Sequence, residues 1–190
     1  LAYRGSQPVA LWLIIGINLL LFIATLVYRD IIFFLGLQPA SFLTRPWTIL
    51  TSMFIHSGFW HIFANMITLF FFGGFLYRLI GRNRFLLVYF AGGILGNILF
   101  ILLPPSPFSV AIGASGAIFA LAGVLVVMMP NLRVLLFFII PLPLWMVVLF
   151  FFALWSFLPG IAWQAHLGGL VLGLVSGYIF RRRARYYYYR

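Results

Sequence analysis

The 190-residue sequence predicts an all-α membrane protein, a six-transmembrane-helix bundle with a long interfacial first loop. Three observations predict it. The chain is 65% hydrophobic and 7% charged, with mean hydropathy +1.18, where soluble domains carry about 25% charged residues. Six apolar segments approach the roughly 20 residues that a helix needs to cross a bilayer. All twelve basic residues are arginine, and they gather in alternate connections between those segments.

The first segment, Pro8–Tyr28, is too long for the apolar core of a signal peptide and lacks a small-x-small cleavage site, so it reads as a retained span. The chain begins at Leu1 rather than Met, and residues are expected upstream. The connection from Arg29 to Phe59 is long for a structureless loop. Its Ile, Phe, Leu and Trp content places it in the membrane interface, with Trp47 as an anchor. Trp60–Ile80 and Phe85–Leu103 follow as the second and third spans, and Ala114–Met129 is a short fourth. Leu132–Ile140 reads as a connector at the membrane surface, because Pro141 and Pro143 interrupt it. The fifth span, Pro141–Leu158, then starts near Pro143, the rival being one helix running on from Leu132. Ile161–Phe180 is the sixth. Residues 1–180 thus make one domain, and "RRRARYYYYR" at 181–190 forms a basic, aromatic tail.

Arginine placement orients the bundle by the positive-inside rule. With the N-terminus cytoplasmic, Arg4, Arg78, Arg82, Arg84, Arg133 and the five tail arginines fall inside, against Arg29 and Arg45 outside. This makes the tail a membrane-surface anchor; a nucleic-acid arm is the alternative, and the distribution as a topology signal speaks against it.

The charge inventory removes several chemistries. There is no Cys, no Lys and no Glu, and Asp30 is the only acid. A thiol nucleophile, a Ser–Lys dyad, a two-aspartate protease and an HExxH metalloprotease are all excluded. A metal site built from His56, His61 and His166 would need an all-histidine shell, which the usual mix of zinc ligands argues against. No metal and no cofactor is expected.

The remaining polar groups converge. "HIFAN" puts His61 and Asn65 in the first turns of the second span, one helical turn apart on one face. "AIGASGAIFA" opens the fourth span with Ser115 between Gly113 and Gly116, and "AHLGGLVLG" puts His166 about one turn into the sixth. These spans run in the same direction, so all four groups lie within about 10 Å of one membrane face at about 1.5 Å per residue. His166, Gly169, Gly173 and Gly177 share a helix face, and Gly116, Ala120 and Gly123 offer a matching stripe. Packing the stripes together brings His166 toward Ser115. Taken singly, Ser115 could cap its helix, His166 could bond a carbonyl, and Asn65 could join helices, the role expected of Asn18 and Asn97. Those separate readings leave the shared depth unexplained. His56 is read as making a structural hydrogen bond, and Ser57 as the N-cap of the second span.

"HIFAN", "GASG" and "AHLGGLVLG", in this order on the second, fourth and sixth of six spans, resemble the rhomboid family of intramembrane serine proteases, in its prokaryotic six-helix form. The similarity covers nearly the whole chain from "RPWTILTSMFIHSG" onward. It implies Ser115 as nucleophile, His166 as its base, and His61 and Asn65 as the oxyanion-stabilising pair, joined by the backbone N–H of Ser115. Trp47 resembles the family's first-loop tryptophan, although Thr48 stands where an arginine often follows it. Phe119 stands where many members place a tyrosine stacked on the histidine.

The substrates implied are other transmembrane helices, cut near their outer ends within the lipid bilayer of a prokaryotic cell membrane. Small residues are expected at the cut, and lateral access past the fifth span, with Trp145 and Phe150 as gate candidates. Two other readings stand beside this one. A non-catalytic rhomboid-like binder of membrane helices would lack the Ser or the His. A channel or carrier would carry a polar stripe across the bilayer, whereas the inner halves of these helices are apolar.

Overall fold

A computed structural model describes residues 8–136, 139–156, 158 and 160–188. Arg4, Tyr189 and Arg190 lie outside the described residues, as do Phe137 and Phe138 in the connector and Phe157 near the end of the fifth segment.

An unbroken apolar run without glycine pairs or internal proline makes α1, Val9–Val27. The first loop then folds into short pieces, α2 at Ile31–Leu35 and α3 at Thr48–Thr51, with 3-10 turns at Pro39–Ser41 and Ser52–Phe54. The second span is made of α4, Phe59–Thr68, and α5, Gly74–Ile80, joined in line by a π turn at Leu69–Gly73. Gly81, at φ 80°, breaks the chain before α6, Arg82–Leu102. α7 spans Ser115–Met128.

The connector after α7 is a β-hairpin. β1, Arg133–Leu136, pairs antiparallel with β2, Ile140–Pro143, from Arg133 opposite Pro143 to Leu136 opposite Ile140. This disposes of a continuous helix from Leu132, since proline in β2 cannot extend a helical hydrogen-bond ladder. The fifth span is α8, Leu144–Ser156. The sixth is α9, Trp163–Tyr188, which runs two turns past Phe180 because Arg181–Tyr188 holds no glycine or proline to stop it.

α7 is the centre of the bundle. Its fourteen residues rise only about 21 Å, less than the roughly 30 Å of a hydrocarbon core, and Gly116 to Leu125 are all buried. Backbone contact on two sides makes this possible. Toward α9, a Cβ at Gly169 would overlap the Gly116 carbonyl oxygen, and one at Gly173 the Ala120 carbonyl oxygen. Toward α6, a Cβ at Gly92 would overlap the Ala120 side chain. α6 also meets α9 directly, with Gly96 against the Ala165 carbonyl. The glycines of α6, which the sequence pattern left unassigned, thus complete a three-helix contact.

The first loop is tied to this core by its backbone. Leu37 and Ala111 exchange N–H···O bonds of 3.0 and 2.8 Å, and the Gly113 N–H donates to the Ser52 carbonyl at 2.9 Å. Trp47 donates its indole N–H to the Phe34 carbonyl (3.3 Å), Arg45 its guanidinium to Phe33 (2.6 Å), and Thr51 its hydroxyl to Leu35 (2.8 Å). These three donors cover the carbonyls that end α2. Arg45, two residues before the tryptophan, and Thr51 anchor the loop, while the Thr48 hydroxyl turns back to the Arg45 carbonyl.

Gly173→Val would push two methyl groups into the Ala120 backbone and should cost about 3 kcal/mol. Thermal unfolding in detergent reads this as a clear drop in midpoint, whereas Gly16→Val, where a Cβ meets nothing within 4 Å, leaves it nearly unchanged.

Candidate active site

The approach of α7 and α9 decides the centre of the site. Ser115 is the first residue of α7 and His166 is the fourth of α9. The His166 Nε2 and the Ser115 Oγ are 2.8 Å apart, a hydrogen bond with the imidazole 5% exposed. Phe119, one turn after the serine, lies over the imidazole with ring centroids 4.8 Å apart at 32°, and Phe152 of α8 packs edge-on against Phe119 at 6.0 Å. Phe152 carried no signal in the sequence beyond its apolar segment.

The turn into α7 brings the second span to the same place. Gly113 has φ +118°, a conformation that costs other residues about 1–3 kcal/mol. A Cβ there would stand 2.7 Å from the His61 Nε2 and 3.7 Å from the Ser115 Oγ. His61 is held from its other side by Ser57, whose N–H donates to Nδ1 (3.5 Å) and whose hydroxyl lies 3.2 Å from the same nitrogen. With Nδ1 accepting, the ring proton sits on Nε2, beside Gly113 and the serine. Ser57 therefore orients His61; the N-cap of α4 is Gly58, which has no side chain to offer.

Asn65 is placed differently. Its side-chain amide donates to the His61 carbonyl one turn earlier, at 2.8 Å, within α4. An amide carries two N–H donors, and this bond uses one. Asn97 joins α6 to the first loop, donating to the Ile49 carbonyl (2.7 Å) and the Ser52 hydroxyl (2.9 Å). Ser52 in turn holds Gly113, so Asn97 acts on the turn before Ser115 at one remove.

His56 packs beside the site from the loop before α4. It is fully buried, its ring lies near the Phe54 backbone, and it packs on His61 with centroids 4.8 Å apart. Burial, and next the neighbouring His61, pull its pKa down to about 3. Among the described residues no cluster of three potential metal ligands occurs. Asp30 is exposed on the first loop. Of the two gate candidates, Phe150 is 52% exposed on α8, but Trp145 stands at the start of α8 beside Pro130, Asn131, Arg133 and Pro143, at the opposite end of α7 from Ser115. The direction of α8, antiparallel to α7, puts its first turn there.

Residues 43–183 match the Rhomboid domain. The rhomboid-named protein YdcA of Bacillus subtilis is 45% identical over 78 residues, covering 41% of this chain and 39% of its own. The mitochondrial Rhomboid protein 1 of Saccharomyces cerevisiae is 32% identical over 162 residues, 75% of this chain and 44% of its own. Rhomboid protease GluP of Bacillus subtilis is 26% identical over 181 residues, 92% of this chain and 35% of its own. The chain spans less than half the length of each of these relatives.

Two outcomes follow from the geometry. Gly113→Ala strains the turn and displaces His61, so fluorophosphonate labelling of Ser115 should slow by about 10²-fold, the cost of misplacing a reacting group by about 1 Å. His56 binds a proton less well folded than unfolded, so its contribution to stability is complete above pH 6.5 and is lost as pH falls toward about 3. The detergent unfolding midpoint should fall between pH 7 and pH 4, and fall by less in His56→Phe.

Proposed function

The chain belongs to the rhomboid family, and from that premise we propose that it is an intramembrane serine endopeptidase working through a Ser115–His166 dyad. The observation that carries the proposal is the 2.8 Å bond between the Ser115 Oγ and the His166 Nε2 at the opening of a buried helix. A serine hydroxyl is a weak nucleophile until a base removes its proton, and histidine suits that task near neutral pH.

In the proposed cycle the Ser115 Oγ bonds to a peptide carbonyl carbon while its proton passes to the His166 Nε2. The tetrahedral oxyanion takes hydrogen bonds from the Ser115 backbone N–H, which is unpaired at a helix N-terminus, from the His61 Nε2–H beside Gly113, and from the remaining N–H of Asn65. His166 then gives its proton to the leaving amine as the C–N bond breaks. Water, with His166 again as base, cleaves the acyl ester and restores the Ser115 hydroxyl. With Asp30 exposed on a loop, no carboxylate backs the imidazole, and turnover is expected to be slow. In the three-residue template, disabling the acid costs about 10⁴ in kcat.

Family membership makes the chain an integral membrane protein, and the arginine distribution supports an orientation with the Ser115 end outward. The substrates in this reading are transmembrane helices cut near their outer ends. A stable helix hides its carbonyls, so the segment cut should contain helix-weakening or small residues.

The test is cleavage of a fluorogenic transmembrane peptide by purified protein in detergent. Ser115→Ala and His166→Ala should reduce cleavage to background, and Asn65→Ala should lower kcat by about 10²–10³. Cleavage that persists in Ser115→Ala ends the proposal; a folded wild type that binds the peptide without cutting it points to a non-catalytic binder.

A further inference from the structure

We propose that the cavity at the other end of α7, beneath the β1–β2 hairpin, binds the phosphate-bearing headgroup of an anionic membrane lipid. The cavity has a volume of about 250 Å³ and is lined by Pro130, Asn131, Arg133, Pro143 and Trp145. It lies about 21 Å along α7 from Ser115, so it is no part of the site described above.

The hairpin fixes the depth of this cavity. Its outer residues are apolar and open, with Leu135 57%, Ile139 79% and Ile140 49% exposed. Yet a two-stranded hairpin leaves backbone groups unpaired along its edges, which hydrocarbon does not tolerate. The arrangement that satisfies both is a hairpin lying at the boundary, its apolar side chains toward the acyl chains and its base at the level of the headgroups. Trp145, 47% exposed, is the residue type that favours that level.

The base of the hairpin carries the charge. Arg133 is exposed, and the only carboxylate side chain in the chain, Asp30, belongs to the first loop at the opposite end. A counter-charge for Arg133 therefore comes from outside the protein's side chains. Three other described arginines at this end have partners within the protein. Arg181 donates to the Val127 carbonyl at 3.1 Å, Arg84 lies 5.3 Å over the Phe180 ring, and Arg182 lies 5.6 Å over Tyr178. The Arg181 contact also offsets the negative end of α7, which would otherwise oppose an anion here. A guanidinium, an amide and an indole N–H around one cavity supply the donors that a phosphodiester accepts.

The experiment compares lipid retention by native mass spectrometry after release from nanodiscs of phosphatidylcholine, alone or mixed with phosphatidylglycerol. The wild type should retain one phosphatidylglycerol in preference to phosphatidylcholine. Arg133→Ala should weaken that retention roughly five-fold, the worth of one arginine at a membrane surface, while Arg82→Ala leaves it unchanged. Unfolding in phosphatidylcholine alone checks that Arg133→Ala is folded; should it not be, Asn131→Ala should also weaken retention, by the worth of one neutral hydrogen-bond donor. Equal retention by wild type and either cavity variant overturns the proposal. So does release of the lipid by millimolar inorganic phosphate, which would assign the cavity to a free anion.

Discussion

The separation of two backbones governs the molecule. α7 and α9 meet where Gly169 faces the Gly116 carbonyl and Gly173 faces that of Ala120, with no side chain between them. Within a membrane there is little hydrophobic drive to join helices, so close backbone approach and the dispersion contacts it brings must supply the association. That approach has a chemical consequence. It brings the start of α9 near enough to the start of α7 for an imidazole to reach a hydroxyl at 2.8 Å, a distance that one interposed methyl layer would abolish. Stability and the site's geometry rest on the same contact, and glycine serves both for the same reason.

A second constraint follows from the first. A helix enclosed by neighbours need not cross the whole bilayer, and α7 at about 21 Å does not. Its N-terminal residues lie inside the bundle, where backbone N–H groups would be orphaned without cover. The first loop supplies that cover. The Leu37–Ala111 bridge, the Ser52–Gly113 bond and the Asn97 bonds to Ile49 and Ser52 hold the approach to α7 in place. Loop and core are therefore one structure, although a hydropathy profile separates them.

Much of this was legible in the sequence, because glycine and buried polar residues stand out in an apolar chain. Ser115, His61, Asn65, His166 and the α9 glycines announce themselves by type and spacing. The features that stayed hidden depend on what lies across a contact. The Gly92–Gly96 stretch of α6 looks like loose helix until Ala120 and Ala165 are placed against it. Ser57 has the type and position of a cap, and only the fold turns its hydroxyl and N–H onto His61. Trp145 reads as a gate residue if α8 is imagined running the other way, and Phe152 is one phenylalanine among many until it meets Phe119. The two prolines marked a surface connector but not a hairpin, since apart from Arg133 the strands β1 and β2 are apolar on both faces and show no alternation.

The surroundings of His166 show how an imidazole is oriented without a carboxylate. A carboxylate partner does two things at once: it selects the ring orientation and it stabilises the cation formed in the cycle. Here the first task falls to packing. The Phe119 face fixes the tilt of the ring, the Phe152 edge fixes Phe119, and the Gly96 contact with Ala165 fixes the backbone one residue before it. Aromatic faces supply little of the second, because a ring quadrupole is a weak substitute for a formal charge. A carboxylate buried at this depth would itself need desolvation and a partner, and the chain has no lysine and no other acid to build such a network. In the proposed cycle the enzyme thus gives up charge stabilisation at the base and keeps its geometry. This shifts the burden of transition-state stabilisation to the other side of the serine, onto the His61 Nε2–H, the Asn65 amide and the N-terminus of α7, where neutral donors can be buried at lower cost than ions.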